Sequence, residues 1–283
     1  MIRKYQGKIL LSLLTITIIV WIFVFQESIP NKFLEIDFLD VGQGDAIFIE
    51  TLNKKQMLID GGPNLSVLEK LGEVMPFYDR YIDVVLLTHP EQDHMNGLIE
   101  VLKRYNVGVI VFNGIIRDTA QYHEFVNLIG NKKTPIYIAQ AGEKIDFGNG
   151  INLDILYPFE SMENKKLSDS NNYSVVGKLI YKNFSVLFTG DIEKSTENKL
   201  IKAKVDLSAD IIKIAHHGSK TSTSDAFLNA VNAIMAIIEV GKDNSYGHPH
   251  PDVMSRLKNL IVLQTSNEGT IQILTDGEKI IKK

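Results

Sequence analysis

The sequence predicts an α/β layered domain of about 250 residues that follows one N-terminal transmembrane helix. Near the start, the segment Ile9–Gln26 contains no charged residue. From Phe33 to the end, short apolar strand patterns alternate with amphipathic helical patterns. The chain has 283 residues, of which 45% are hydrophobic and none is cysteine. This composition excludes a disordered chain, a disulfide framework and a thiolate metal site.

The N-terminal segment predicts a membrane anchor at residues 9–26. A helix of this length spans about 27 Å, close to the hydrocarbon core of about 30 Å. Because Arg3, Lys4 and Lys8 precede it, the positive-inside rule places residues 1–8 in the cytoplasm as a basic tail and the domain outside. The alternatives are a cleaved signal peptide and a buried core helix. A signal peptide is disfavoured because the run is longer than a usual signal-peptide core and no small-x-small cleavage site follows it. A buried core helix is disfavoured because no face of the helix is polar.

The charge differs sharply between the two parts of the chain. Residues 1–32 contain four basic residues and one acidic residue, whereas residues 33–283 contain 26 basic and 33 acidic residues. An acidic domain is not a general polyanion binder. If the domain acts on nucleic acid, the contacts must be local or a metal must supply the positive charge. Residues 27–32 are predicted to link the anchor to the domain at 33–283.

The domain is predicted to contain strands and helices in a mixed order. Strand patterns lie at 33–40, 45–51, 56–60, 83–88, 106–112, 134–139, 151–158, 173–181, 184–190, 211–215, 233–240, 261–265, 270–274 and 278–282. Helical patterns lie at 66–75, 94–105, 120–129, 194–203, 224–232 and 251–259. The run at 83–88 is typical of a strand buried on both faces. The polar stretch Glu160–Asn172 predicts a surface loop of the kind that often contributes functional residues.

Four potential metal ligands follow the buried strand that ends at Thr88. They are His89, Glu91, Asp93 and His94, placed at a predicted strand-to-helix turn. A loop lets side chains converge that a straight strand would send to alternate faces. A single histidine is more often an ordinary residue, but four such groups at one turn indicate a metal site. Without cysteine, the ligands must be His, Asp, Glu, carbonyl or water.

The segment from His89 to His94, HPEQDH, resembles the His-x-His-x-Asp-His signature of the metallo-β-lactamase superfamily. Glu91 stands in place of the second histidine. Further motifs resemble the superfamily in chain order: LIDGG with Asp60, LFTGD with Asp191, and IAHHGS with His216 and His217. A histidine expected between the signature and Asp191 is missing, and Asn172 stands at a plausible spacing.

Other motifs resemble one branch of the superfamily, the metallo-β-lactamase-like domain of the DNA-uptake channel family ComEC. They are DVGQGD, NNYS, HHGS and YGHPHP, and the resemblance covers nearly all of residues 33–283. The multispanning channel of that family has no counterpart in this sequence. We therefore expect a free-standing version of the domain on a single anchor.

The resemblance implies an αββα sandwich with two divalent metal ions at one edge between the sheets. The ligands that it implies are His89, Asp93, His94, Asp191 and either His216 or His217. Asp191 is the candidate for a carboxylate that bridges the ions, and His217 is slightly favoured over His216 because it directly precedes the glycine. Two ions about 3.5–4 Å apart lower the pKa of a bridging water and stabilise charge on a phosphoryl oxygen.

The departures from the superfamily pattern affect the expected metal. Glu91 and Asn172 replace histidines, which makes the site richer in oxygen and favours Mn²⁺, with Zn²⁺ as the alternative. Glu91 is expected to be a weak ligand or a hydrogen-bonding neighbour. Asp60 is expected to orient a ligand histidine.

Several residues are candidates for contacts to the substrate. His248, in YGHPHP, is a candidate to contact a phosphate or to protonate the leaving oxygen. Ser219 and Lys220 follow a glycine and can cradle a phosphate, although a polar loop before a helix explains them equally well. Asp40 and Asp45 bracket two glycines, which fits either a close backbone approach at the site floor or a hairpin turn.

The resemblance implies a membrane-anchored, extracytoplasmic metallohydrolase of phosphodiesters, and specifically a DNA nuclease. DNA is then the substrate, the bilayer holds the anchor, and DNA-uptake proteins are candidate partners. A hydrolase of a phosphorylcholine-type phosphodiester or a lactone would use the same site with a narrower pocket. A non-catalytic domain that binds DNA or a partner is disfavoured because most ligand candidates remain. β-Lactam hydrolysis is disfavoured because the divergent motifs match the ComEC branch, and a fold alone does not assign a reaction.

Overall fold

The computed structural model describes residues 3–28, 30–167 and 169–283. Helix α1 spans Arg3–Ser28 and contains the segment predicted as an anchor. The side chains from Ile9 to Trp21 are exposed. Within the described ranges, no helix combines enough length with enough apolar character to cross a membrane. Two residues of the predicted basic tail, 1 and 2, and one of the predicted linker, 29, lie outside the described residues.

The domain that follows contains strands and helices close to the predicted ones. The strands are β1 (Leu34–Phe38), β2 (Ile47–Glu50), β3 (Gln56–Ile59), β4 (Tyr81–Leu87), β5 (Asn106–Phe112), β6 (Ile136–Ile138), β7 (Lys144–Gly148), β8 (Ile151–Tyr157), β9 (Val176–Tyr181), β10 (Phe184–Phe188), β11 (Ile211–Lys213), β12 (Met235–Ile238), β13 (Ile261–Gln264), β14 (Ile271–Thr275) and β15 (Ile280–Lys282). The helices are α2 (Ser66–Val74), α3 (Gln92–Arg104), α4 (Ala120–Lys132), α5 (Lys194–Lys202), α6 (Asp225–Val231), α7 (Pro251–Arg256) and α8 (Thr265–Glu268). Strand β7 and helix α8 were not predicted, because both are short and lie between turns.

Two mixed sheets organise these strands. The first has the order β15-β14-β1-β2-β3-β4-β5-β6, and the second has the order β13-β12-β11-β10-β9-β8-β7. Strands β3, β4, β5 and β6 pair in parallel, as do β10, β11, β12 and β13. Because these parallel strands need crossover connections, helices cover the outer faces of both sheets.

The packing forms four layers. Inner-face side chains of both sheets, including Ile36, Leu86 and Val186, form the central core. The outer face of the first sheet packs on α2, α3 and α4, and the outer face of the second packs on α5, α6 and α7. In β4, Leu86 faces the central core whereas Val85 and Leu87 face the helices. The prediction that this strand is buried on both faces is therefore confirmed, as is the αββα sandwich.

Parallel strands from both sheets end at the same edge of the sandwich. At this edge helix α3 begins directly against the end of β3, because Gly97 has no side chain. A Cβ atom at Gly97 would lie 1.7 Å from the carbonyl oxygen of Gly61. This close approach brings the first turn of α3, with Asp93 and His94, next to Asp60.

Candidate metal centre

Four side chains from three separate segments converge at this edge. They are Asp93 and His94 at the start of α3, Asp191 after β10, and His217 after β11. Each offers one ligand atom, and these atoms all lie within 4.8 Å of one another. The Asp191 Oδ2 atom is 3.3 Å from His94 Nε2 and 3.4 Å from His217 Nε2. The Asp93 Oδ2 atom is 3.3 Å from His217 Nε2 and 4.0 Å from His94 Nε2.

The spacing of these atoms fits a single divalent ion. Ligand atoms that lie about 2.1 Å from a tetrahedral ion are about 3.4 Å from each other. The His94 Nε2 atom is fully buried and has no hydrogen-bond partner, which is costly unless another group satisfies it. Two imidazoles and two carboxylates are a donor set that Zn²⁺ and Mn²⁺ both accept. The described residues therefore form a candidate divalent metal centre.

Asp60 contacts the ring nitrogen of His94 that faces away from the cluster. Its Oδ2 atom accepts a hydrogen bond of 2.8 Å from His94 Nδ1, which leaves Nε2 of the ring directed at the cluster. The same carboxylate accepts hydrogen bonds from the backbone N–H and the hydroxyl of Thr88. Burial lowers the pKa of His94, but Asp191, Asp60 and Asp45 raise it more, so the net pKa lies well above its ordinary value. The orienting role of Asp60 remains a prediction, and this hydrogen bond is the contact that it requires.

The two adjacent histidines at the end of β11 occupy different positions. Both have left-handed backbone conformations, with φ of 52°, which cost about 1 kcal/mol or more in a non-glycine residue. This turn directs His217 into the cluster, where its Nδ1 lies 2.9 Å from the Glu239 carbonyl oxygen and is the donor. His216 lies at the cavity wall, with its Nε2 3.9 Å from Asp191 Oδ2. His217, and not His216, is therefore a member of the four-residue cluster.

The remaining predicted ligands are arranged less closely. The His89 ring lies 4.2 Å from that of His94, and its buried Nε2 has no hydrogen-bond partner. Glu91 is turned toward other side chains: it accepts a hydrogen bond from Ser170 and pairs with Arg117 at 3.1 Å. Glu91 is thus a hydrogen-bonding neighbour of the cluster.

Asn172 is directed away from the cluster. It donates to Asp169 and Glu193 and accepts from Ser195 and Thr196. These contacts tie the loop to the start of α5. The preceding residue, Asn171, is the one that approaches His216, at 3.4 Å, and it lines the cavity.

Neighbouring charged groups shift the pKa values of the cluster residues. Burial raises the pKa of Asp93, but His94 and His217 lower it more, and the net pKa falls well below its usual range. Burial likewise opposes the ionisation of Asp191, but His217, His94 and Lys213 hold its pKa well below the ordinary value. Burial lowers the pKa of His89 to about 3, with His94 contributing. The two carboxylates are therefore ionised at neutral pH, which is the form in which a carboxylate binds a metal.

A buried charged network that the sequence did not predict lies beneath the cluster. Lys213, on the inner face of β11, forms an ion pair with Asp45, and its Nζ lies 3.7 Å from Asp191 Oδ1. Asp45 Oδ1 is also 3.2 Å from His217 Nδ1. Glu239 accepts a hydrogen bond from the Ala46 backbone N–H at 2.9 Å. Burial lowers the pKa of Lys213, but Asp45 and Asp191 raise it more, so the net pKa is raised and the ammonium stays charged.

Three residues of the cluster, Asp93, Asp191 and His217, line an open polar cavity of about 410 Å³. Its lining includes Gln43, Glu91, Asp93, Arg117, Asp169, Asn171, Asp191, His216, His217, Tyr246 and His248. The His248 ring lies 5.8 Å from the His216 ring, and its Nδ1 has no hydrogen-bond partner. Burial, with His216 and His217, lowers the pKa of His248 to about 4, so the ring is neutral at pH 7.

Two predicted substrate-binding residues are not among the described residues that line the cavity. The Ser219 hydroxyl is 3.0 Å from the Thr221 hydroxyl. Lys220 is exposed, and its carbonyl oxygen accepts a hydrogen bond from Lys194. These contacts agree with the alternative, a polar loop before helix α6. That helix is capped by Ser224, whose hydroxyl accepts from the Phe227 backbone N–H.

The fold and the cluster define a class of protein. The profile of the metallo-beta-lactamase superfamily matches residues 39–233, and the chain therefore belongs to this superfamily.

Within this superfamily, the chain is similar to competence proteins. The chain is 30% identical over 257 residues to ComE operon protein 3 of Bacillus subtilis (strain 168), covering 84% of this chain and 32% of that protein. It is 26% identical over 253 residues to competence protein ComA of Neisseria gonorrhoeae, covering 87% of this chain and 33% of that protein. The predicted resemblance to competence proteins of the ComEC type is confirmed. The chain spans about a third of the length of these relatives.

Solved structures share the fold at much lower sequence identity. The metallo-beta-lactamase fold protein YhfI from Bacillus subtilis superimposes with a TM-score of 0.51 at 13% identity, covering 81% of this chain and 95% of that chain. A putative metal-dependent hydrolase from Parabacteroides distasonis superimposes with a TM-score of 0.50 at 13% identity, covering 82% of this chain and 93% of that chain. At these identities the likeness supports the fold alone.

Proposed function

We propose that this protein is a metal-dependent phosphodiesterase that cleaves DNA. The observation that carries the proposal is the position of Asp191. Its Oδ2 atom lies 3.3 Å and 3.4 Å from the Nε2 atoms of His94 and His217, and Asp191 lines an open cavity. An open polar cavity suits an extended substrate better than a small apolar one. The similarity to a competence protein favours DNA.

The proposed site holds divalent ions with the residues of the cluster. Asp93, His94, Asp191 and His217 would hold one ion, and His89, whose buried Nε2 atom has no hydrogen-bond partner, would be available to a second. A bound ion of this kind supplies an activated water and stabilises negative charge on a phosphoryl oxygen. Mn²⁺ is favoured over Zn²⁺ because half of the four-residue donor set is carboxylate.

The protein's own side chains position the substrate. His248 offers a neutral imidazole at the wall of the cavity, within reach of a bound phosphodiester. Arg117 donates hydrogen bonds to the Leu167 carbonyl oxygen and to Glu91, so it keeps Glu91 at the cavity wall. The cavity lining contains four carboxylates, and phosphate binding therefore depends on the metal charge rather than on a basic surface.

We further propose that the N-terminal segment attaches the domain to a bilayer, with the domain on the extracytoplasmic side. The proposal rests on the uncharged run at residues 9–26, on the basic residues before it and on the exposed apolar side chains of α1.

Replacing Leu14 and Ile18 by Arg should release the protein from lipid vesicles, since charged side chains are costly in hydrocarbon. Co-sedimentation with vesicles measures this, and unchanged sedimentation of the double variant would count against the attachment.

The nuclease proposal predicts Mn²⁺-dependent cleavage of DNA. Purified full-length protein, in detergent micelles and freed of metal by chelation, is incubated with single-stranded DNA, duplex DNA and a chromogenic phosphodiester. Each reaction is run without added metal, with Mn²⁺ and with Zn²⁺. We expect DNA cleavage to be highest with Mn²⁺ and absent with chelator. Full activity with one tightly bound Zn²⁺ and no gain from Mn²⁺ would contradict the metal assignment.

The substrates separate the competing functions. Cleavage of the chromogenic ester without cleavage of DNA favours a hydrolase of small or surface-bound esters. Metal binding without turnover of any substrate favours a non-catalytic domain. Asp191→Ala should lose the DNA cleavage. Its matched control is Asp225→Ala, because Asp225 is an exposed carboxylate in the first turn of α6 and lies outside the residues that line the cavity.

A further inference from the structure

An exposed aromatic ring stands at the mouth of the candidate site. Tyr246 is 71% exposed and lines the cavity together with His248. The two rings are stacked, with centroids 5.8 Å apart and planes at 24°. Exposed tyrosines are common, but this ring combines exposure with a fixed orientation beside a polar cavity.

The loop that carries Tyr246 is held in place by polar contacts. The Asn244 side chain donates to the carbonyl oxygens of Gly241 and His248, at 2.9 Å and 2.6 Å, and accepts from the His248 backbone N–H at 3.0 Å. The loop also packs on the turn that carries the two site histidines. A Cβ atom at Gly218 would lie 2.6 Å from Pro249 Cβ. The ring is therefore presented on a preorganised loop, which reduces the entropic cost of binding.

A line of rings connects Tyr246 to the metal cluster. The His248 ring is 5.8 Å from the Tyr246 ring on one side and 5.8 Å from the His216 ring on the other. His216 Nε2 in turn lies 3.9 Å from Asp191 Oδ2. The Tyr246 ring is thus at most about 12 Å from the His216 ring, roughly three nucleotides at 3.4 Å per stacked nucleotide.

The acidic lining of the cavity indicates which kind of contact the Tyr246 ring adds. Glu91, Asp93, Asp169 and Asp191 line the cavity, against the single guanidinium of Arg117. Such a surface attracts phosphates poorly apart from the metal. Stacking of a nucleobase on an aromatic side chain contributes about 1–3 kcal/mol per base and tolerates any base sequence. We infer that Tyr246 is a stacking platform for a nucleobase near the scissile phosphodiester, a role that rests on the proposed nuclease function.

The test compares Tyr246→Ala with Tyr246→Phe on two oligonucleotides. One is a fluorescent single-stranded dT oligomer, and the other has the same length but carries abasic spacers in place of the bases. We expect Tyr246→Ala in the full-length protein to raise KM for the dT oligomer by about 5- to 100-fold with little change in kcat. Tyr246→Phe keeps the ring and should stay within about twofold of the wild type.

The abasic oligomer and a second tyrosine supply the controls. Tyr246→Ala should leave KM for the abasic oligomer unchanged, and Tyr137→Ala, at an exposed tyrosine of β6 outside the cavity, should leave both substrates unchanged. An equal loss on both oligomers, or an equal loss in Tyr246→Phe, overturns the stacking role. If the wild type cleaves neither oligomer, the proposed function fails by itself. Fluorescence anisotropy of the dT oligomer then still tests stacking, because equal binding by wild type and Tyr246→Ala overturns it.

Discussion

Replacing Asp191 by Asn should lower the affinity for divalent metal and the rate of DNA hydrolysis by more than about 100-fold. Removing a residue that only orients a metal ligand typically lowers metal affinity or activity by 10- to 100-fold. Asp191 is itself a member of the cluster, so we expect a larger loss. Its Oδ2 atom is close to both His94 Nε2 and His217 Nε2, so an amide at this position removes the negative charge that both rings face. The shape of the side chain is nearly unchanged, so the effect reports on charge.

Metal content of the purified protein and the rate of hydrolysis at saturating Mn²⁺ measure this prediction. A third measurement is the rise in melting temperature when metal is added. Metal at about 100 times its dissociation constant stabilises the folded state by about 2.7 kcal/mol, and this rise should disappear in Asp191→Asn. Asp225→Asn should behave like the wild type. If Asp191→Asn does not fold, His217→Gln provides the same test, and normal metal content in either folded variant would rule out the cluster as the metal site.

The sequence could indicate residues of the cluster because each follows a short apolar strand within a compact motif. Asp93, Asp191 and His217 are far apart in the chain, but parallel strands that end at one edge bring such residues together. An α/β layered domain was predictable for a related reason, since runs such as that of β4 are apolar on both faces, whereas the αββα arrangement was implied by the family resemblance.

The side-chain pairs that the sequence did not predict join distant segments. Lys213 lies within the short apolar strand β11, and its partner Asp45 comes from the loop between β1 and β2. Glu91 is held by Arg117 and Ser170, which belong to two other loops. No local spacing indicates such pairs.

Asn171 and Asn172 are adjacent in the chain, but their side chains point in different directions. The two residues begin the 3₁₀ turn Asn171–Tyr173. Successive residues of a 3₁₀ helix point about 120° apart. One amide therefore reaches His216 while the next bonds to Glu193 at the start of α5. Sequence resemblance can locate the NNYS motif, but the direction of this turn decides which asparagine faces the site.

The buried ammonium of Lys213 should be essential for stability. Its side chain is 0% exposed, and its partner Asp45 is 2% exposed, so Lys213→Met leaves a carboxylate buried without its cation. Breaking a buried ion pair by removing one partner typically costs about 3–5 kcal/mol. For a domain of this size, that lowers the melting temperature by roughly 6–20 °C. Thermal unfolding of the metal-free protein, followed by far-UV circular dichroism, measures the effect without stabilisation by metal.

Lys178 provides the matched control for this prediction, because it is also a buried strand lysine with an acidic partner. Its side chain is 8% exposed, but its partner Asp206 is 77% exposed, and water can solvate that carboxylate when the lysine is lost. Lys178→Met should therefore cost only about 0–1 kcal/mol. Adding Asp45→Asn to Lys213→Met should recover part of the lost stability, because it removes the uncompensated charge. Equal destabilisation by Lys213→Met and Lys178→Met, with no recovery in the double variant, would mean that the Lys213 ammonium does not neutralise the carboxylates beneath the metal cluster.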